Sequence, residues 1–102
     1  MGEFVDVTAA NEVPEGEMAS YRVNGHRIVL AKVRGSLLAF DEICTHRGCS
    51  LAKGELEEKT VICPCHFGQF DLLTGQVLAG PPPAPIRVYP TRVLEGIVQV
   101  EI

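Results

Sequence analysis

Apolar and polar side chains alternate along much of the chain with the two-residue period of half-buried β-strands. Residues 3–7 read as a first strand. Residues 19–24 and 26–33 flank Asn24-Gly25, a dipeptide that strongly favours a two-residue hairpin turn. Arg34-Gly35 then turns the chain into 36–41, Ser-Leu-Leu-Ala-Phe-Asp, which completes a three-strand meander. Residues 60–63 form a short strand. Phe70-Asp-Leu-Leu leads to a turn at Thr74-Gly75 and a return strand at 76–78. Residues 86–93 and 97–102 predict a last hairpin across Glu95-Gly96. Glu15-Gly16-Glu17 is a turn, and Asn11-Glu-Val-Pro is at most another. No stretch has the period of an amphipathic helix. The proline-rich run at 80–85 cannot be a central strand, because proline has no amide donor. Turns every eight to twelve residues predict an all-β sandwich or barrel with antiparallel strands.

The length of 102 residues fits a single domain, and 46% apolar content argues against disorder. A net charge of −4 gives no reason to expect nucleic-acid binding. Met-Gly-Glu-Phe at the start has neither a basic nor an apolar leader. No stretch approaches the roughly 18 apolar residues of a membrane span. The expectation is a cytoplasmic protein with no membrane span, monomeric on its own.

The chemistry is concentrated in residues 44–66. All four cysteines and two of the three histidines lie there: Cys44-Thr-His46-Arg-Gly48-Cys49, then Cys63-Pro-Cys65-His66. The third, His26, follows a hairpin turn and reads as a surface histidine. Thiolate and imidazole suit zinc, copper or iron rather than magnesium or calcium. A structural zinc site usually pairs Cys with Cys and His with His in its loops. Here each loop pairs one Cys with one His, as Cys-x-His and Cys-x-x-His, sixteen residues apart. Two cysteines on one iron and two histidines on the other is the ligation of a Rieske [2Fe–2S] cluster. A colourless zinc domain is the alternative.

In these boxes, in His66-Phe-Gly-Gln-Phe70-Asp71 and Thr74-Gly75, and in the proline loop Gly80-Pro-Pro-Pro-Ala-Pro85, the sequence resembles the Rieske family over nearly its whole length. The resemblance implies the Rieske fold: a base of residues 1–41 and 85–102 with a small cluster-binding subdomain, about 42–84, inserted into it. It implies one [2Fe–2S] cluster per chain, with Cys44 and Cys63 on one iron and His46 and His66 on the other. It also implies a disulfide between Cys49 and Cys65, as in the respiratory and photosynthetic members; two small buried thiols are the alternative. Gly48 and Gly68 either let amides approach the sulfurs, adopt positive φ, or are ordinary turn glycines. Pro82 and its neighbours look like a lid over the cluster, with a rigid connector as the alternative.

High-potential members carry a serine and a tyrosine at the positions of Gly68 and Phe70. Neither residue here has a side-chain donor, so two hydrogen bonds that favour the reduced cluster are missing. The expectation is a potential in the lower half of the Rieske range. The resemblance therefore implies a ferredoxin rather than an enzyme, carrying single electrons from a reductase to a terminal oxygenase or oxidoreductase. The rival expectation is a fixed small subunit of a nitrite or arsenite oxidoreductase or of an aromatic-ring dioxygenase system.

Overall fold

The computed structural model describes residues 2–45, 48–65, 67–80 and 84–102. Its strands are β1 (Phe4–Ala9), β2 (Met18–Val23), β3 (His26–Val33), β4 (Ser36–Asp41), β5 (Glu55–Glu57), β6 (Thr60–Ile62), β7 (Gln69–Asp71), β8 (Val77–Ala79), β9 (Val88–Tyr89), β10 (Thr91–Leu94) and β11 (Ile97–Glu101). They form three antiparallel sheets, ordered β1-β11-β10, β2-β3-β4-β9 and β5-β6-β7-β8. The helical content among the described residues is two single 3-10 turns, Ala10–Glu12 and Leu51–Lys53. No helix there is long and apolar enough to cross a membrane.

The middle sheet is buried on both faces at its centre, strand β3. Strand β3 shows why: Ile28-Val-Leu-Ala31 is a continuous apolar run, and all four residues are fully buried. Ile28 and Leu30 pack with Leu37, Ala39, Val98 and Val100 between the middle sheet and the β1-β11-β10 sheet. Val29 and Ala31 point the other way. With Phe40 they pack against Val61, Phe70 and Leu72 of the β5–β8 sheet. Each fully buried Val, Leu, Ile or Phe contributes about 1.5–3 kcal/mol through area removed from water. One strand therefore joins two cores.

The hairpin turns follow local chemistry. Asn24 and Gly25 both take positive φ, at 49° and 83°, as a type I′ turn requires. Arg34 and Gly35 do the same, and the Glu15 carboxylate accepts both of their amides.

Three expectations need correction. The strand anticipated at 86–93 is broken at Pro90, which has no amide for a ladder. Val88 and Tyr89 pair with β4, while Thr91–Leu94 pair with β11. Strand β5 was not anticipated; Glu-Leu-Glu is a poor strand former alone and gains its ladder from β6. His26 is half-buried, its ring edge-on to Tyr89 at 6.3 Å between centroids.

Candidate metal centre

Two loops leave the strands towards one end of the β5–β8 core. The first leaves β4 and closes on the Ile43–Ser50 bridge. The second joins β6 to β7. They share one backbone construction. In the first, the Cys44 amide donates to the Cys49 carbonyl at 2.9 Å; in the second, the Cys63 amide donates to the Gly68 carbonyl at 2.7 Å. Each bond spans five residues from the leading cysteine. The residue four beyond that cysteine is left-handed in both loops: Gly48 at φ +71° and Phe67 at φ +58°. The backbone counterpart of Gly48 is thus Phe67, and the counterpart of Gly68 is Cys49. Gly48 meets the positive-φ expectation. Gly68 is buried and serves the second loop through its carbonyl.

The two leading cysteines meet. Cys44 and Cys63 are 3% and 2% exposed and lie in one apolar cluster with Leu51, Val61 and Phe70. Their side chains hydrogen-bond to each other. Burial pushes the Cys63 thiol above the usual cysteine range; the Cys65 amide pulls it down, and Cys44 adds to the rise. A buried thiolate without a nearby cation is costly. A bound metal removes that cost, because a coordinating thiol is deprotonated outright. Two adjacent buried sulfurs, one facing an amide N–H, fit the thiolate side of an iron–sulfur cluster.

The other two cysteines form the disulfide that the resemblance implied. Cys49 and Cys65 are bonded across a sequence separation of 16, with their Cα atoms 6.4 Å apart. Phe70, expected beside the cluster, is fully buried in the same apolar core as both leading cysteines, so its ring supplies packing and no donor. His46, His66 and Pro82 lie outside the described residues. Within the proline-rich run, the Ala84 carbonyl accepts the Thr45 hydroxyl at 2.7 Å, which ties that end of the run to the first loop.

Two residues of the site were missed in the sequence. Glu42 is buried two positions before Cys44, hydrogen-bonded by Ser50 and Arg27. The period-two pattern held the signal, since 42 shares the inward phase of Phe40. Phe67 is 70% exposed on the second loop. Its backbone role has no counterpart in residue type, so no local pattern marks it.

A β-sandwich with two cysteine-led loops locked by a disulfide defines a small iron–sulfur domain. The chain belongs to the Rieske [2Fe–2S] domain family, which it matches over residues 3–90. It is 36% identical over 90 residues to the ferredoxin component of the naphthalene 1,2-dioxygenase/salicylate 5-hydroxylase systems of a Ralstonia species, covering 88% of this chain and 86% of that one. It is 33% identical over 100 residues to the naphthalene 1,2-dioxygenase ferredoxin component of Pseudomonas aeruginosa, covering 98% and 96%. Among solved structures it resembles a chain in the complex of reduced oxygenase and oxidized ferredoxin in carbazole 1,9a-dioxygenase. That match has a TM-score of 0.88 and 30% identity, covering 96% of this chain and 92% of the other.

Proposed function

We propose that this chain is a Rieske-type ferredoxin that passes single electrons from a reductase to the terminal oxygenase of an aromatic-ring dioxygenase system. The observation that carries the reading is the meeting of Cys44 and Cys63 on two loops joined by the Cys49–Cys65 disulfide. The relatives named as ferredoxin components, matched over nearly their whole length, support the pathway.

Cys44 and Cys63 would hold one iron of a single [2Fe–2S] cluster, and His46 and His66 the other. A cluster held there would supply one-electron transfer. This chain's own residues bury the thiols, exclude water around them with Leu51, Val61 and Phe70, and fix the spacing of the two loops. Residues 42–84 are the cluster-binding subdomain on a base formed by 1–41 and 85–102. The chain acts as a carrier, not as a catalyst. A nicotinamide-linked reductase draws on a cytoplasmic pool, so the cytoplasm is the proposed location.

Reconstitution tests the reading. NADH-dependent oxygenation by a Rieske dioxygenase and its reductase, depleted of their own ferredoxin, is expected to return when the holo-chain is added. Failure to mediate turnover with several such systems would contradict the assignment.

A further inference from the structure

Among the described residues, Glu42 is the one charged side chain buried in the protein, at 8% exposure. Burying a carboxylate is costly unless each of its oxygens is paired. Here every polar group of the residue has a partner. Its amide donates to the Arg27 carbonyl at 3.0 Å, and its carbonyl accepts from the Leu51 amide at 2.7 Å. One carboxylate oxygen accepts the Ser50 hydroxyl at 2.6 Å, and the other accepts Arg27 Nε at 3.3 Å.

These partners fall into two groups. Arg27 belongs to β3, in the double-faced middle sheet. Ser50 and Leu51 stand on the far side of the first ligand loop, one and two positions after disulfide-bonded Cys49. Glu42 stands on the near side, two positions before Cys44. One residue therefore clamps both arms of the loop neck together and ties the pair to the sheet. Packing alone does not call for a charge here, because Leu51 and Phe40 already fill the adjacent core.

We propose that Glu42 is a positioning residue for the cluster. It holds the neck of the first ligand loop through Ser50 and Arg27, and its buried carboxylate keeps the reduction potential down. The inference rests on the ligand reading above. A fixed negative charge in the neck of the first ligand loop, two positions before Cys44, would oppose the arrival of an electron more than it opposes the oxidised state. Arg27 offsets this only in part, since its side chain is 50% exposed and solvent screens it, whereas that of Glu42 is 10% exposed.

The test uses holo-protein and the substitutions Ser50→Ala, Glu42→Gln, Glu42→Ala and the Glu42→Ala/Ser50→Ala pair. Two readouts are taken: the rate of cluster release to an iron chelator and the midpoint potential by protein-film voltammetry. Ser50→Ala is expected to speed release by about tenfold, the equivalent of one lost hydrogen bond, with little change in potential. The double variant should release no faster than Glu42→Ala, because both changes break the same clamp. Glu42→Gln keeps an oxygen for Ser50, so its release should stay slower than that of Glu42→Ala while its potential rises. Full additivity of the two alanine changes, or an unchanged or lowered potential in Glu42→Gln, would overturn the inference. If Glu42→Ala does not retain its cluster, Ser50→Ala and Glu42→Gln still decide the question. Wild-type protein with zinc and no iron would overturn the ligand reading and this inference with it. Iron in the wild type with release and potential unmoved in the variants would overturn this inference alone.

Discussion

Cys49 and Cys65 are covalently joined, and each stands within five residues of a leading cysteine of its own loop. The bond fastens the two loops at a second point beside the Cys44–Cys63 meeting. Closing a loop of this length restricts the unfolded chain by roughly 3 kcal/mol in the chain-entropy account, and less once the cluster also ties the loops. Alkylation of native, non-reduced protein should leave both residues unlabelled. Cys49→Ser should hasten cluster loss without changing the ligand set, which release kinetics and EPR together would show.

Phe67 sits in a left-handed conformation that costs a non-glycine residue about 1–2 kcal/mol, and its ring is 70% exposed. The left-handed backbone serves the second loop's turn, which glycine would also provide, and the packing of the domain gives no return for the exposed ring. On the second ligand loop, this aromatic is the residue whose replacement tests contact with a redox partner. Phe67→Gly should therefore keep or raise stability by about 1 kcal/mol while slowing electron delivery to the oxygenase. Thermal melting and coupled NADH turnover separate the two effects. Loss of stability with unchanged turnover would contradict the assignment.

Tyr89 donates to the Asp41 carboxylate at 2.5 Å, with the Arg87 guanidinium 4.8 Å from its ring. Burial, with the Asp41 bond and charge adding to it, pushes the phenol up to about 12. The unfolded chain loses this proton near pH 10, so between about pH 10 and 12 the native state binds more protons than the unfolded state. Stability from this group is complete below pH 10 and falls as pH rises through that window. Tyr89→Phe should be less stable at neutral pH by about 1.5–3 kcal/mol, the worth of a hydrogen bond to a charged group. It should also show a flatter decline across the alkaline window, measured by urea unfolding at a series of pH values.

In the family resemblance, Gly68 and Phe70 stand where high-potential members carry a serine and a tyrosine, and neither has a hydroxyl to donate. Hydrogen bonds to sulfur favour the more negative, reduced cluster, so their absence lowers the potential. A hydrogen bond to a charged acceptor is worth about 1.5–3 kcal/mol, of which only the redox-dependent part counts. About 1.4 kcal/mol corresponds to roughly 60 mV for one electron, so two missing bonds lower the potential by on the order of 100 mV. The midpoint should lie in the lower half of the Rieske range of roughly −150 to +300 mV. A value above about +150 mV at neutral pH would contradict this. Gly68→Ser with Phe70→Tyr should raise whatever value is found.

The hairpins were legible where local chemistry dictates them. Asn24-Gly25 folds as its residue types favour, Gly96 supplies a positive φ in the last hairpin turn, and β4 spans the six residues its pattern marked. The proline at position 90 carried the signal for a broken strand, but which strand each half joins depends on distant partners. Strand β5 exists only because Thr60–Ile62 pairs with it. At the metal centre, the Cys-x-His and Cys-x-x-His spacing displayed the two loops, while the disulfide pair came from the family resemblance, since spacing alone left two buried thiols open. The equivalence of Gly48 with Phe67 lies in backbone geometry, which residue identity does not encode. The burial of Glu42 depends on Ser50 and Arg27 arriving from two other parts of the chain.

The most direct test of the cluster assignment is EPR of the dithionite-reduced protein, with nitrogen couplings resolved by electron nuclear double resonance. The account predicts the low-average-g signal of a Rieske centre with couplings from two imidazoles, lost together when His46 and His66 are replaced. A reduced cluster with no nitrogen coupling, or a colourless protein holding zinc, would contradict it.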